Sequence, residues 1–275
     1  MLASLPSAAR DTATARFGRV GHNLCAALTN LYGGQPEFTA FLRTLMQAVA
    51  QRMSERPADL LRLDLEREDR PDWFLHDRLL GYSAYVDRFG GTLNGIRERS
   101  DYLRSLGVNY LHLLPFLRMR PGENDGGFAV ENFTEIEPRL GTMADLRTLC
   151  TDLRRHRISL CTDFVLNHVA DSHPWARAAA SGDEDYRARF LIFPDREQPD
   201  RYDRTAIEVF PQTVPGNFTR HHEVGGWVWT TFYPYQWDLN YANPQVFLEI
   251  TKALLYLANA GVEVFRLDSA PFLWK

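Results

Sequence analysis

Two residues near the end of the chain have the type and spacing to do chemistry. They lie in the run Phe265-Arg266-Leu267-Asp268, which closes an apolar, β-prone segment. Side chains at i and i+2 of a strand share a face, so Arg266 and Asp268 point the same way. A guanidinium beside a carboxylate favours its charged form, which suits a nucleophile or an electrostatic stabiliser. A buried Arg-Asp pair that merely closes a strand end has the same spacing. A second strand end reads Asp163-Phe-Val-Leu-Asn167-His168 and offers His168 as a hydrogen-bond donor. The stretch Pro121-Gly-Glu-Asn-Asp125-Gly-Gly-Phe128 follows a third. Its glycines do not make a phosphate cradle, because no helix opens behind them and the acidic neighbours repel anions. Three strand ends that each present a polar group predict one site assembled from loops.

Such an arrangement needs parallel strands whose carboxyl ends face one way. The pattern supplies them: strands over 81–87, 108–114, 158–166 and 262–267, with helices over 95–106, 143–155 and 246–259. Gly107 and Gly261 stand where helices end before strands. Alternating strand and helix implies βα units, an α/β fold with a parallel sheet. About 75 residues, 169–243, separate the third strand from its helix. A connection longer than ~12–15 residues is usually functional or a subdomain, and this one follows the carboxyl end of a strand, where an α/β barrel places its site. Before the sheet, residues 1–75 read as helical. Phe38, Phe41, Leu42, Leu45, Met46 and Val49 repeat on one helix face, and Leu60, Leu61, Leu63 and Leu65 form a shorter pattern. The expected divisions are a helical domain at 1–75, three βα units at 76–168, an insertion at 169–242, and the third helix and fourth strand at 243–275. Four βα units are the first half of a (β/α)8 TIM barrel, so the chain reads as truncated after its fourth strand.

Composition narrows the class. The 275 residues are 45% hydrophobic and 24% charged with net charge −4, values of an ordinary globular protein. The negative sign argues against a nucleic-acid partner, and no apolar run approaches the roughly 18–20 residues of a membrane span. Lysine occurs only at Lys252 and Lys275 among 31 basic residues, read as codon bias. Cys25, Cys150 and Cys161 form no close pair, so neither a disulfide framework nor a zinc site is expected. The first ten residues lack the basic and apolar regions of a signal peptide, which makes a cytoplasmic location the expectation.

Taken together, these segments resemble the α-amylase family of retaining glycoside hydrolases, and within it the amylosucrases. The matching stretches are Asn124-Asp125-Gly-Gly-Phe-Ala-Val130, Pro138-Arg-Leu-Gly-Thr142, Asp163 to His168 and Ile192-Phe-Pro-Asp-Arg196. Trp227-Val-Trp-Thr-Thr-Phe232, Gln236-Trp-Asp-Leu-Asn240 and Phe265 to Lys275 complete the set. The resemblance implies a glucosyltransferase that takes sucrose, releases fructose and extends an α-1,4-glucan. It makes Asp268 the nucleophile and Arg266 its cationic companion, with His168 and Asp125 binding the glucosyl hydroxyls. Phe128 would stack on that ring, and Phe232 and Gln236 would shape the fructosyl site. No cofactor and no metal is implied, although calcium-binding amylases use an asparagine at the place of Asn167. Retention through two displacements implies a carboxyl pair about 5–5.5 Å apart. Phe128 stands where Tyr is usual, which keeps stacking and loses a phenolic hydrogen bond. Ile207 replaces an arginine that some members carry. The family's acid/base glutamate lies beyond a fifth strand and its second aspartate beyond a seventh, so these residues alone are expected to be inactive. Other α-glucoside chemistries (sucrose hydrolase, trehalose synthase) and a non-catalytic carbohydrate-binding remnant are the competing expectations.

Overall fold

The computed structural model describes residues 7–75 and 77–275. Residues 1–6 of the expected helical segment, and with them most of the start inspected for a leader, lie outside the described residues. The chain divides into two compact units, Met1–Arg78 with Phe247–Asn259, and Leu79–Val246 with Ala260–Lys275.

The first unit is helical: α1 spans Ser7–Tyr32, α2 Phe38–Ser54 and α3 Ala58–Asp69. Its core gathers Leu28, Tyr32, Phe41, Leu45 and Leu248, with Phe38, Leu42, Met46 and Phe247 packed against it. The periodic apolar face of α2 is thus the buried one, except that Val49 is exposed. Tyr32 and Phe41 meet edge to face at 5.3 Å between ring centres, the geometry that aromatic quadrupoles favour. Arg56 grips both oxygens of Asp64, at 2.6 and 2.7 Å, and donates to the Ala258 carbonyl at 3.1 Å.

The second unit is built on a four-stranded parallel sheet. Strands β1 (Gly81–Ala84), β2 (Tyr110–Leu113), β3 (Ser159–Val165) and β4 (Val264–Asp268) lie side by side in chain order. All three pairings are parallel, so every β-to-α connection leaves from the same end. The single helix expected over 95–106 is two short ones, α4 (Leu93–Glu98) and α5 (Ser100–Ser105), broken at Arg99. By contrast α6 (Met143–Arg155) is continuous, because Thr142 and Asp145 form a reciprocal capping box. Helix α7 (Pro244–Ala260) precedes β4. Gly107 and Gly261 adopt φ +82° and +114°, the left-handed region that favours glycine at a helix end.

The connections beyond the strand ends carry antiparallel structure. Leu117–Met119 pairs with Val130–Ile136 after β2, and His168–Ala170 pairs with Gln236–Asp238 after β3. Inside the long connection, Gly226–Trp229 is the centre of a three-stranded sheet between Ile192–Phe193 and Phe218–His221. The segment also holds three helices, Pro174–Ala180, Glu184–Arg187 and Glu197–Tyr202. At seven, four and six residues they are too short to show a 3.6-residue period, which is why the sequence pattern carries no trace of them. Among the described residues no helix is long and apolar enough to cross a membrane.

Candidate active site

The carboxyl end of β4 supplies the reactive pair. Arg266 Nη1 donates to Asp268 Oδ1 at 2.9 Å, as the shared face of i and i+2 requires. The other oxygen, Asp268 Oδ2, accepts from the Ser269 hydroxyl at 2.7 Å. Ser269 holds φ +57°, a left-handed turn at the strand end. The same Arg266 nitrogen also donates to Oδ1 of Asp163, its register partner on β3. The Arg266 guanidinium is held above its ordinary value, first by Asp163 and then by the Asp268 charge. Asp163 is fully buried, and its second oxygen faces His112 Nε2 at 2.9 Å.

After β2, the glycine turn presents Asp125. Asn124 accepts from Gly127 N at 3.0 Å and donates to the Gly122 carbonyl at 2.9 Å, folding the turn on itself. Asp125 takes φ +53°, an unfavourable conformation for a non-glycine residue. The structure overdetermines it through Gly126 and Gly127, both at positive φ. A Cβ on Gly126 would meet the Tyr85 hydroxyl at 2.8 Å. Burial pushes the Asp125 carboxyl up, the hydrogen bond from Gln236 works against that, and the charge of Asp268 adds to the rise. That last influence places Asp125 and Asp268 in one electrostatic neighbourhood.

His168 follows β3 and is almost completely buried, on the strand paired with Gln236–Asp238. Its Nδ1 lies 3.4 Å from Asn167 Nδ2, while Nε2 meets no hydrogen-bond partner. Burial pulls the ring below its ordinary value, against the opposing influence of Asp238, Asp268 and the Phe128 backbone. A neutral imidazole with one uncommitted nitrogen, close to a carboxylate pair, is equipped to bond a hydroxyl. Phe232 packs on the His168 ring at 5.1 Å and on Phe272 at 5.5 Å. Gln236 is completely buried; its Nε2 donates to Asp125 Oδ2 at 3.4 Å and its Oε1 accepts from Tyr233 N at 3.1 Å. Its side chain is therefore spent on holding Asp125 and the turn before it. All seven residues singled out from sequence lie in the second unit. Direct contacts or mutual charge effects link Arg266, Asp268, Asp125, Gln236, His168, Phe232 and the Phe128 backbone.

Sequence reasoning missed the buried groups behind this layer. Lys275 Nζ lies 2.6 Å from Asp238 Oδ2 and donates to Asn167 Oδ1 at 3.1 Å and Thr231 Oγ1 at 3.2 Å. An ammonium has three donors and here meets three acceptors. No local signal marked it: lysine rarity applies equally to Lys252, which only makes an i,i+3 pair with Glu249. His112 was also passed over, hidden in an apolar strand run.

The family model for the α-amylase catalytic domain matches residues 40–275. The trehalose synthase of Pimelobacter sp. (strain R48) is 32% identical over 214 residues, 75% of this chain and 36% of that protein. The glucosylglycerate phosphorylase of Allomeiothermus silvanus is 38% identical over 178 residues, 63% of this chain and 29% of that one. Among solved structures, a family GH13_31 enzyme superposes with TM-score 0.61 at 29% identity, over 72% of this chain and 37% of that chain. The chain thus spans about a third of the length of these relatives. With the catalytic-domain match running from residue 40 to residue 275 and the strand-end groups gathered as described, the chain belongs to the α-amylase family.

Proposed function

We propose that this chain carries the nucleophile half of a retaining α-glucosyltransferase that acts on sucrose, of the amylosucrase type. The supporting observation is the position of Asp268, fixed by Arg266 on one oxygen and Ser269 on the other, with its charge felt by both Asp125 and His168. In this reading the four parallel strands are the first half of a (β/α)8 barrel. Asp268 attacks the anomeric carbon of the glucosyl unit, the glycosidic C–O bond breaks, and fructose leaves with a proton from an acid/base glutamate. The resemblance puts that glutamate after a fifth strand. The β-glucosyl ester then passes to the end of an α-1,4-glucan, with the glutamate taking the acceptor's proton, so configuration is retained. His168 and Asp125 hold hydroxyls of the glucosyl ring, Phe128 stacks on its face, and Gln236 acts through Asp125. Phe232 borders the leaving-group side. Without the glutamate, residues 1–275 by themselves should turn over sucrose about 10²–10⁴-fold more slowly than a protein that includes it.

The likeness to a trehalose synthase favours a second reading within the family, conversion of another α-glucoside disaccharide by the same nucleophile. Product analysis on the full-length protein separates the two. Sucrose giving fructose and insoluble glucan supports the first. Sucrose giving only glucose and fructose indicates hydrolysis, and inert sucrose with trehalose consumed supports the second. Quenching turnover with acid and mapping a hexosyl adduct tests the shared step; an adduct on any residue other than Asp268 overturns it.

A further inference from the structure

Asp268 is the last member of a polar row that crosses all four parallel strands. The Ser83 hydroxyl on β1 lies 3.2 Å from His112 Nδ1 on β2, and His112 Nε2 lies 2.9 Å from Asp163 Oδ2 on β3. Asp163 Oδ1 and Asp268 Oδ1 both accept from the same nitrogen, Nη1 of Arg266 on β4. Register explains most of the alignment: Ser83 is opposite His112 and Asp163 opposite Arg266, while His112 is opposite Cys161 and reaches diagonally to Asp163, two residues on and on the same face. We infer that His112 is a positioning residue for the nucleophile, acting through Asp163 and Arg266. The inference rests on the role proposed above for Asp268.

The reason is a division of donors. A buried carboxylate must satisfy both oxygens. Asp163 does so with one bond from His112 and one from Arg266, which leaves Arg266 turned so that Nη1 also reaches Asp268. Remove the His112 donor and Oδ2 of Asp163 is orphaned beside a guanidinium with further N–H groups. The cheapest repair is for Arg266 to turn and grip both Asp163 oxygens, the bidentate geometry an arginine fork prefers. That withdraws Nη1 from Asp268. The row needs an imidazole whose Nε2 carries a proton and donates to Asp163, with Nδ1 facing the Ser83 hydroxyl.

Two measurements test this. In the 275-residue chain, 15N imidazole spectra should show His112 as the Nε2-protonated tautomer; an unprotonated Nε2 overturns the inference. In the full-length protein, His112→Ala should lower kcat about 10–100-fold, as loss of a hydrogen bond to a charged group implies, with KM changed less than about twofold. His112→Gln, whose amide nitrogen reaches the place of Nε2, should restore most of kcat, and His112→Asn, one bond shorter, should not. If Asp268→Asn is inactive while His112→Ala turns over like wild type, the positioning role is wrong and the nucleophile stands. If Gln and Ala are equally impaired, size and not the donor matters, and the inference fails. Activity surviving in Asp268→Asn overturns both readings.

Discussion

Lys275 Nζ lies 2.6 Å from Oδ2 of Asp238, a carboxylate with no exposure to water. The same carboxylate accepts from the Thr231 backbone N–H at 3.1 Å and from its hydroxyl, so each of its oxygens has a donor. Asp238 is in register with His168 on the neighbouring short strand. The ammonium therefore neutralises the acid that stands in register with the ring proposed to bind substrate, and it holds Asn167 beside that ring.

Replacing Lys275 with Met should cost about 3–5 kcal/mol, because a buried charge is left unpaired. Pairing that change with Asp238→Asn should recover more than half, since Asn keeps an oxygen for Thr231 and carries no charge. Urea unfolding of the two single variants and the double variant measures the coupling. Additive losses would mean that the ion pair is incidental to stability.

Two substitutions should move the Asp125 carboxyl in opposite directions. Burial raises it, Asp268 raises it further, and the Gln236 hydrogen bond lowers it. Asp268→Asn removes a negative neighbour, so Asp125 should ionise at lower pH. Gln236→Leu removes a donor that favours the charged form, so it should ionise at higher pH. Carboxyl 13C titration reads both shifts, and a shift of the same sign in the two variants contradicts the proposed proximity.

Acid should destabilise the second unit from the histidine range downward. Burial pulls His168 and His221 down and takes His173 to about 3. His173 has a further reason to stay neutral, since Nδ1 accepts the Trp175 backbone N–H at 3.1 Å. Below about pH 6.5 the unfolded histidines bind protons that the folded ones refuse, so stability is full above that pH and is lost as pH falls. Each histidine contributes a slope of about 1.4 kcal/mol per pH unit until its folded value is reached. His173→Gln keeps an acceptor for Trp175 and removes the titration, so the slope between pH 6.5 and 4.5 should fall by about one proton. Urea midpoints across that range check it.

The parts of the fold that a one-dimensional pattern can carry were readable. The first three strands of the parallel sheet fall inside their predicted spans and β4 runs one residue past its own, to Asp268; β3 was readable because it is buried on both faces, β4 because Arg266 and Asp268 mark its end. Hydrophobic period tells which face of a helix is buried, never against what. So the pattern over 246–259 gave no hint that residues 247–259 belong with the N-terminal helices. The pairing of Asp238 with Lys275 joins two positions 37 residues apart through a loop whose path no local signal encodes. His112 escaped for a related reason: its meaning comes from Asp163, 51 residues later, and only the pairing of β2 with β3, which sets His112 opposite Cys161, brings Asp163 within diagonal reach.

The glycine turn allows a test with an internal control. Gly122 and Gly127 flank Asp125 on the same loop and both have positive φ, +77° and +97°. A Cβ at Gly122 meets nothing within 4 Å, whereas at Gly127 it lies 2.9 Å from Pro115 Cβ and 3.1 Å from the Pro115 carbonyl oxygen. Each alanine pays for an unfavourable backbone conformation, about 1–2 kcal/mol. Only Gly127→Ala adds a clash with a proline and a carbonyl oxygen, in a segment fixed by Asn124. Its excess cost over Gly122→Ala should be at least about 1 kcal/mol, the lower end of overpacking in a tight site. The stronger consequence is local. Relieving that clash moves the turn away from Pro115 and carries Asp125 with it, breaking its contact with Gln236. The Asp125 titration in Gly127→Ala should therefore lose the Gln236 contribution, as it does in Gln236→Leu, while Gly122→Ala leaves it in place. Equal behaviour of the two alanine variants would mean that the loop adapts without moving Asp125.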